Sequence, residues 1–388
     1  MPKNIVLLLD GTSNEIKTNR SNILRLYGTL KKSDDQLVYY DPGVGTLGGG
    51  NVWLQSWHKV MEVWGMMTGF GLDKNVLEAY RFLVTHYDNG KRDDGNHVDR
   101  DRIFIFGFSR GAYTARVLAG FIHALGLIEP RNLNLLLYAY RAYKRINKSK
   151  DASFDEIRLY ERALRADRIP VQALGLFDTV SSLIEWGRFR PQLKTHVFTK
   201  TNTSVVSARH AVAIDERRTM FRPQHWPLDV SFLRNRFQPE EATPQDAKEV
   251  WFAGVHGDVG GGYPEAESAL AKIPLHWMIE EMKAEGLLFK TRTVNELVLG
   301  TREDRDYVRP DPLGRLHHSM NRFWPLFEFI PRRKPENSAR PSIFGVSLGL
   351  FEPRHIPEGA TVHRSVVDRI NGGDYAPPNL PKDYKIEG

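Results

Sequence analysis

The sequence predicts an α/β fold built on a mostly parallel sheet with helices on both faces, and three observations predict it. Short runs rich in β-branched and aromatic residues recur at Asn4–Leu9, Leu37–Tyr40, Arg102–Phe106, Val171–Phe177 and Glu249–Val255, the composition of buried strands. Segments with helical spacing separate them, and parallel neighbours need such long crossovers. Several runs end in an acid or a glycine, and open α/β sheets keep their ligands along the C-terminal strand edge.

Taken in order, Asn4–Leu9 runs into Asp10-Gly11-Thr12, and Leu37–Tyr40 runs into Asp41-Pro42-Gly43. Between Gly48 and Phe70 a glycine-rich stretch carries Trp53, Trp57, Trp64, Met61, Met66 and Met67. That composition fits a lid or acyl-chain groove, and equally a bulky core helix. Leu72–His86 has Val76, Ala79, Tyr80, Leu83 and Val84 on one helical face. Asn134–Asn147 and Phe154–Asp167 read as charge-rich helices forming a cap or side layer. Val205–Asp215 carries Ala208, Ala211, Val212 and Ile214 at helical spacing and is expected to be a helix. Ile273–Glu285 is a further helix, and an aromatic cluster sits at Phe323, Trp324, Phe327 and Phe329. A last short helix, Val366–Ile370, follows Ser365, which has the spacing of an N-terminal cap with Asp368.

Composition bounds the function. The 388 residues suit one domain over 1–372, with insertions near 48–70, 128–168 and 300–350, followed by a loose tail over 373–388. Hydrophobic residues make up 41% and aromatics 11%, enough for a substantial core. The absence of cysteine excludes disulfides, cysteine-ligated zinc and thiol catalysis. The formal charge is +7, yet the basic residues are scattered and form no nucleic-acid module. An anionic membrane surface is the better partner, and no nucleic acid is expected. Ile5–Leu9 is too short for a signal peptide, and no stretch approaches a spanning helix. The expected location is the cytoplasm of the producing cell, unless a non-classical system exports the protein.

The chemistry centres on Gly107-Phe108-Ser109-Arg110-Gly111, a Gly-x-Ser-x-Gly pattern between a strand and a helix starting near Ala112. Strand, sharp turn and helix form the nucleophile elbow of α/β-hydrolases. Ser109 is the expected nucleophile, with oxyanion donors at Arg110, Gly11 and Thr12. Asp10 is awkward beside an oxyanion and is expected to turn inward onto backbone amides. The order serine, acid, histidine selects Asp258 as acid and His363 as base, with Asp178 and His256 as alternatives. No cofactor or metal is expected. A rival reading has Asp10, Asp41, Asp178 and Asp258 hold a metal for phosphoester chemistry, and a non-catalytic binding protein is the other alternative.

Six stretches in order, LLLDGTSN, YYDPGVGT, GFSRGAYTAR, LFDTV, HAVAIDERR and VWFAGVHGDVGGGY, together resemble the catalytic domain of the first class of type VI secretion lipase effectors. That resemblance implies an α/β-hydrolase fold and hydrolysis of phospholipid esters at the A1 or A2 position. It implies Ser109 as nucleophile, with Asp258 and His363 as acid and base. It also implies peripheral contact with membrane, export by a type VI system, and room for an immunity or secretion partner. A secreted toxin and an intracellular lipase with this core would read alike.

Overall fold

The computed structural model describes residues 2–11, 19–43, 71–90, 99–146, 152–180, 183–186, 191–194, 196–234, 238–320, 324, 328–329, 332–333 and 346–388. The lid or groove expected over 48–70 and the aromatic positions Phe323 and Phe327 lie outside these residues.

The main sheet has eight strands: β1 Asn4–Leu9, β2 Gln36–Asp41, β3 Arg102–Phe108, β4 Val171–Phe177, β5 Val205–Ala213, β6 Asp246–Phe252, β7 Ala360–His363 and β8 Tyr384–Glu387. Their order is β8-β7-β6-β5-β4-β3-β1-β2, and each neighbouring pair is parallel. Every C-terminal strand end therefore faces one edge. The longer α-helices among the described residues are α1 Asn22–Thr29, α2 Leu72–His86, α3 Arg110–Leu125, α4 Leu136–Arg145, α5 Ala152–Ala163, α6 His256–Gly260, α7 Ala269–Ala284 and α8 Arg364–Gly372.

The period of two along each strand divides the core between the faces. Ile5, Leu7, Leu9, Ile103 and Ile105 pack with α2, α3 and α4. Val6, Leu8, Phe104 and Phe106 point the other way, against α1 and α7. Tyr140 and Tyr143 of α4 and Ile157 of α5 belong to the first of these cores, so α4 and α5 form a side layer rather than a cap.

Two expectations are corrected. Val205–Ala213 is a strand, not a helix. Eight of its nine residues are buried, and a parallel strand covered on both faces is apolar throughout, so its spacing does not distinguish it from a helix. The expected loose tail is in part a strand. Tyr384–Glu387 pairs with Ala360–His363, and Lys248 Nζ fixes Glu387 at 2.7 Å. The proline-rich composition there reflects the connection, while residues 384–387 satisfy the edge of β7.

Candidate active site

Ser109 joins β3 to α3 with φ 57° and ψ −119°, a backbone conformation costly for a residue with a side chain. The turn is tight because two glycines flank it. A Cβ on Gly107 would lie 2.4 Å from the Gly111 carbonyl carbon, and one on Gly111 would lie 2.1 Å from the Leu9 oxygen. The Ser109 amide donates to the Phe177 carbonyl at 3.1 Å, which fastens the elbow to the residue preceding Asp178.

Asp178 is the second strained residue of this edge, with φ 39°. Its Oδ2 lies 2.5 Å from His256 Nδ1. Arg354 grips both its oxygens, at 2.5 Å and 2.9 Å, and the Ala213 amide donates to Oδ1 at 3.0 Å. Burial opposes ionisation of Asp178, but Arg354 and His256 overcome it and hold the carboxyl well below the usual range. Because an ionised carboxylate only accepts, His256 Nδ1 carries the proton and Nε2 is the basic nitrogen. His256 itself is pulled below the ordinary histidine value, first by burial and then by the positive charge of Arg218, against the pull of Asp178.

His256 opens α6 directly after β6, and its ring is held by neighbours on two sides. Phe108, the residue before Ser109, lies 4.7 Å away between ring centroids, and Phe221 meets it edge-on at 4.9 Å. Its amide donates to Glu216 at 3.3 Å. Glu216 is buried, paired with Arg218 at 2.8 Å, and held down at about 2 despite its burial. A further carboxylate–histidine pair lies behind Asp178. Glu249 accepts from His210 Nδ1 at 2.9 Å, and His210 Nε2 accepts from the Thr179 amide at 3.2 Å. That pair fixes the turn in which Asp178 sits.

The first-choice acid and base are not brought together as expected. Asp258 Oδ1 pairs with His317 Nδ1 at 2.6 Å, and Oδ2 accepts the Val255 and His317 amides. His317 Nε2 contacts Glu267 at 3.0 Å, and its ring stacks on Tyr263 at 3.5 Å. Asp258 thus pins the start of α6 to the 317 segment. His363 ends β7, four strands from β3, and serves as N-cap of α8, accepting from the Ser365 amide at 3.2 Å. The histidine therefore caps this helix, where Ser365 was expected to do so. Its ring lies on Phe252 at 4.9 Å, and burial pulls it down to about 4. The structure thus joins the alternative pair, Asp178 and His256, instead of the first-choice one.

Of the oxyanion candidates, Arg110 begins α3, at the positive end of the helix dipole. Gly11 packs close to Ser109, with its Cβ site 3.5 Å from Ser109 Cβ, but its amide donates to Asp10 Oδ1 at 2.7 Å. Thr12 lies outside the described residues. Asp10 does turn inward, also accepting from Ser21 at 2.5 Å and Tyr40 at 2.9 Å. Of the other strand-end acids, Asp41 accepts from the Gly43 amide at 2.8 Å. Among the described residues no three of His, Asp and Glu form a set that could hold a metal ion, and no helix is long and apolar enough to cross a membrane.

Sequence reasoning missed Arg354, His317 and the His210–Glu249 pair. Glu216 and His210 lie within a stretch that was singled out, HAVAIDERR, whereas Arg354 sits in an irregular proline-containing segment with no motif.

A family model for the catalytic domain of Tle1-like phospholipase effectors of type VI secretion matches residues 3–281. An uncharacterized protein of Saccharomyces cerevisiae, YEL023C, is 32% identical over 236 residues, covering 57% of this chain and 32% of the yeast protein. The chain therefore spans about a third of that relative's length. Two solved structures are similar at 20% identity. One is an uncharacterized protein from Pseudomonas aeruginosa, with TM-score 0.39, covering 74% of this chain and 46% of that one. The other is a Tle1 effector bound to the VgrG spike, with TM-score 0.34, covering 69% and 52%.

Proposed function

From the premise that the chain belongs to the Tle1-like phospholipase effector catalytic-domain family of type VI secretion, we propose that it hydrolyses carboxylic esters of phospholipids through Ser109, His256 and Asp178. The observation that carries this reading is the joining of the strained Ser109 elbow to the Asp178–His256 pair, through Phe177 on one side and Phe108 on the other. All three residues fall within the span matched by the family model, and His363 falls outside it.

Ser109 Oγ attacks the ester carbonyl while His256 Nε2 takes its proton. Asp178 keeps the imidazole in the tautomer that leaves Nε2 basic, and Arg354 keeps Asp178 ionised. The Arg110 amide stabilises the oxyanion. His256 then returns the proton to the departing lysolipid oxygen, and water releases the fatty acid by the same steps in reverse roles. The scissile bond is at the A1 or A2 position. Peripheral membrane contact and handover by a type VI spike are part of the same reading.

The test is labelling by a fluorophosphonate probe together with turnover of dioleoyl phosphatidylglycerol. Both should be lost in Ser109→Ala and fall at least a hundredfold in His256→Ala, while His363→Ala retains them. Loss in His363→Ala with activity kept in His256→Ala would return the base to His363. Turnover that survives Ser109→Ala would overturn the serine mechanism.

A further inference from the structure

A cavity of about 340 Å³ opens beside Arg20, Arg25, Glu265 and Tyr307, with Asp304, Arg305 and Asp306 at its mouth. It lies next to the candidate site. The Arg20 carbonyl accepts from the Gly262 amide at 3.1 Å, just after α6, and the adjacent Ser21 holds Asp10. We propose that this cavity binds a phosphate-bearing anion, and that in the phospholipid reading above, on which this second part rests, the anion is the lipid headgroup phosphodiester.

The argument is one of charge. Three cations meet here: Arg20, the buried Arg25 and the buried Lys272. Glu265 is the one carboxylate between the buried two, bound by Arg25 at 3.0 Å and by Lys272. Lys272 Nζ otherwise donates to the Val308 carbonyl at 2.6 Å, and Arg20 donates to the Tyr307 hydroxyl at 3.2 Å, both neutral acceptors. At the mouth, Asp304 is taken by Arg302, and Arg305 reaches Glu296 at 3.2 Å. Asp306 is exposed to water, where it offsets buried charge weakly. Among the described residues, the buried pair Arg25 and Lys272 therefore has Glu265 as its one carboxylate partner, which leaves a net positive charge. Burial lowers both Arg25 and Lys272, and Arg20 lowers each further by like-charge repulsion. Arg25 also has a buried Nε with no hydrogen-bond partner among the described residues. Such an uncompensated cluster costs free energy unless an anion enters, and guanidinium forks match phosphate oxygens.

The test measures binding rather than hydrolysis, so it stands whether or not the chain proves to be a lipase. Melting of the wild type, Arg20→Gln and Arg20→Lys is followed against inorganic phosphate, with chloride at matched ionic strength. The wild type should be stabilised by phosphate beyond chloride, Arg20→Gln should lose most of that response, and Arg20→Lys should keep part of it. Ser109→Ala protein, with and without Arg20→Gln, is then titrated with monomeric dihexanoyl phosphatidylglycerol and with dihexanoylglycerol. A tenfold weakening of the phospholipid alone assigns the site to the headgroup. Phosphate binding without that weakening assigns it to free phosphate and overturns the headgroup assignment. The anion site itself is overturned if phosphate stabilises no more than chloride, or stabilises wild type and Arg20→Gln equally.

Discussion

At the scale of residues, Asp178 sets the terms of the site. It is 1% exposed and carries a charge there only because Arg354 and His256 surround it. Removing one partner of a buried pair leaves the other charge uncompensated, at a cost of about 3–5 kcal/mol. Arg354→Met should therefore lower the urea unfolding free energy by roughly that amount. It should also change the pH profile. In the wild type, burial and Arg218 keep the His256 pKa below its ordinary 6.5, so the acid limb of kcat/KM should lie below that value. Without Arg354 the negative charge of Asp178 acts on His256 undiluted, and the limb should move up. An unmoved limb would separate Asp178 from the base. None of this was legible from residue types alone: Asp178 was visible as a strand-end acid, whereas its guanidinium partner comes from 176 residues away.

At the scale of elements, one misread strand separates the sheet expected from the sequence from the one observed. The elbow, the first four strands and the sheet class were legible, because Gly-x-Ser-x-Gly and short β-branched runs are local signals. Val205–Ala213 was not, because burial on both faces erases alternation. Once it is a strand, His256 follows the third strand over from the elbow strand, and Asp178 follows the neighbouring one. His363 then lies four strands from the elbow strand, where it starts a helix. That role is testable. His363 is neutral and half-buried, with its folded pKa lowered from 6.5 to about 4 by that burial. Its contribution to stability is full above pH 6.5 and is lost as pH falls through that window toward 4, by roughly 3 kcal/mol in all. Asparagine keeps an N-cap acceptor and does not titrate. His363→Asn should flatten the decline of the urea midpoint between pH 6.5 and 4. An unchanged slope would mean the decline belongs to other groups.

At the scale of the whole molecule, the C-terminal residues tie the outer sheet to the edge that carries Asp178. Tyr375 donates to Asp215 at 2.8 Å, and the Asn379 amide donates to the carbonyls of Ile214 and Arg354 at 3.1 Å and 3.0 Å. Residues 384–387 then cover β7 and fix Lys248, which also holds Glu281 of α7. The segment therefore acts in two ways that separate experimentally. As an edge strand it satisfies the β7 backbone, each hydrogen bond contributing about 1 kcal/mol net. Through Asn379 it holds the Arg354 backbone whose side chain grips Asp178. Deleting residues 374–388 should lower the unfolding free energy by roughly 3 kcal/mol, on the order of three such bonds, and should also reduce ester turnover. Asn379→Ala leaves the strand in place. It should cost about 1 kcal/mol yet lower turnover severalfold, with the acid limb shifted in the direction expected for Arg354→Met. Turnover that tracks stability alone across both variants would show that the tail braces the sheet without reaching the site. A turnover loss in Asn379→Ala with the sheet intact would show that the outermost segment of the fold sets the charge state of its acid.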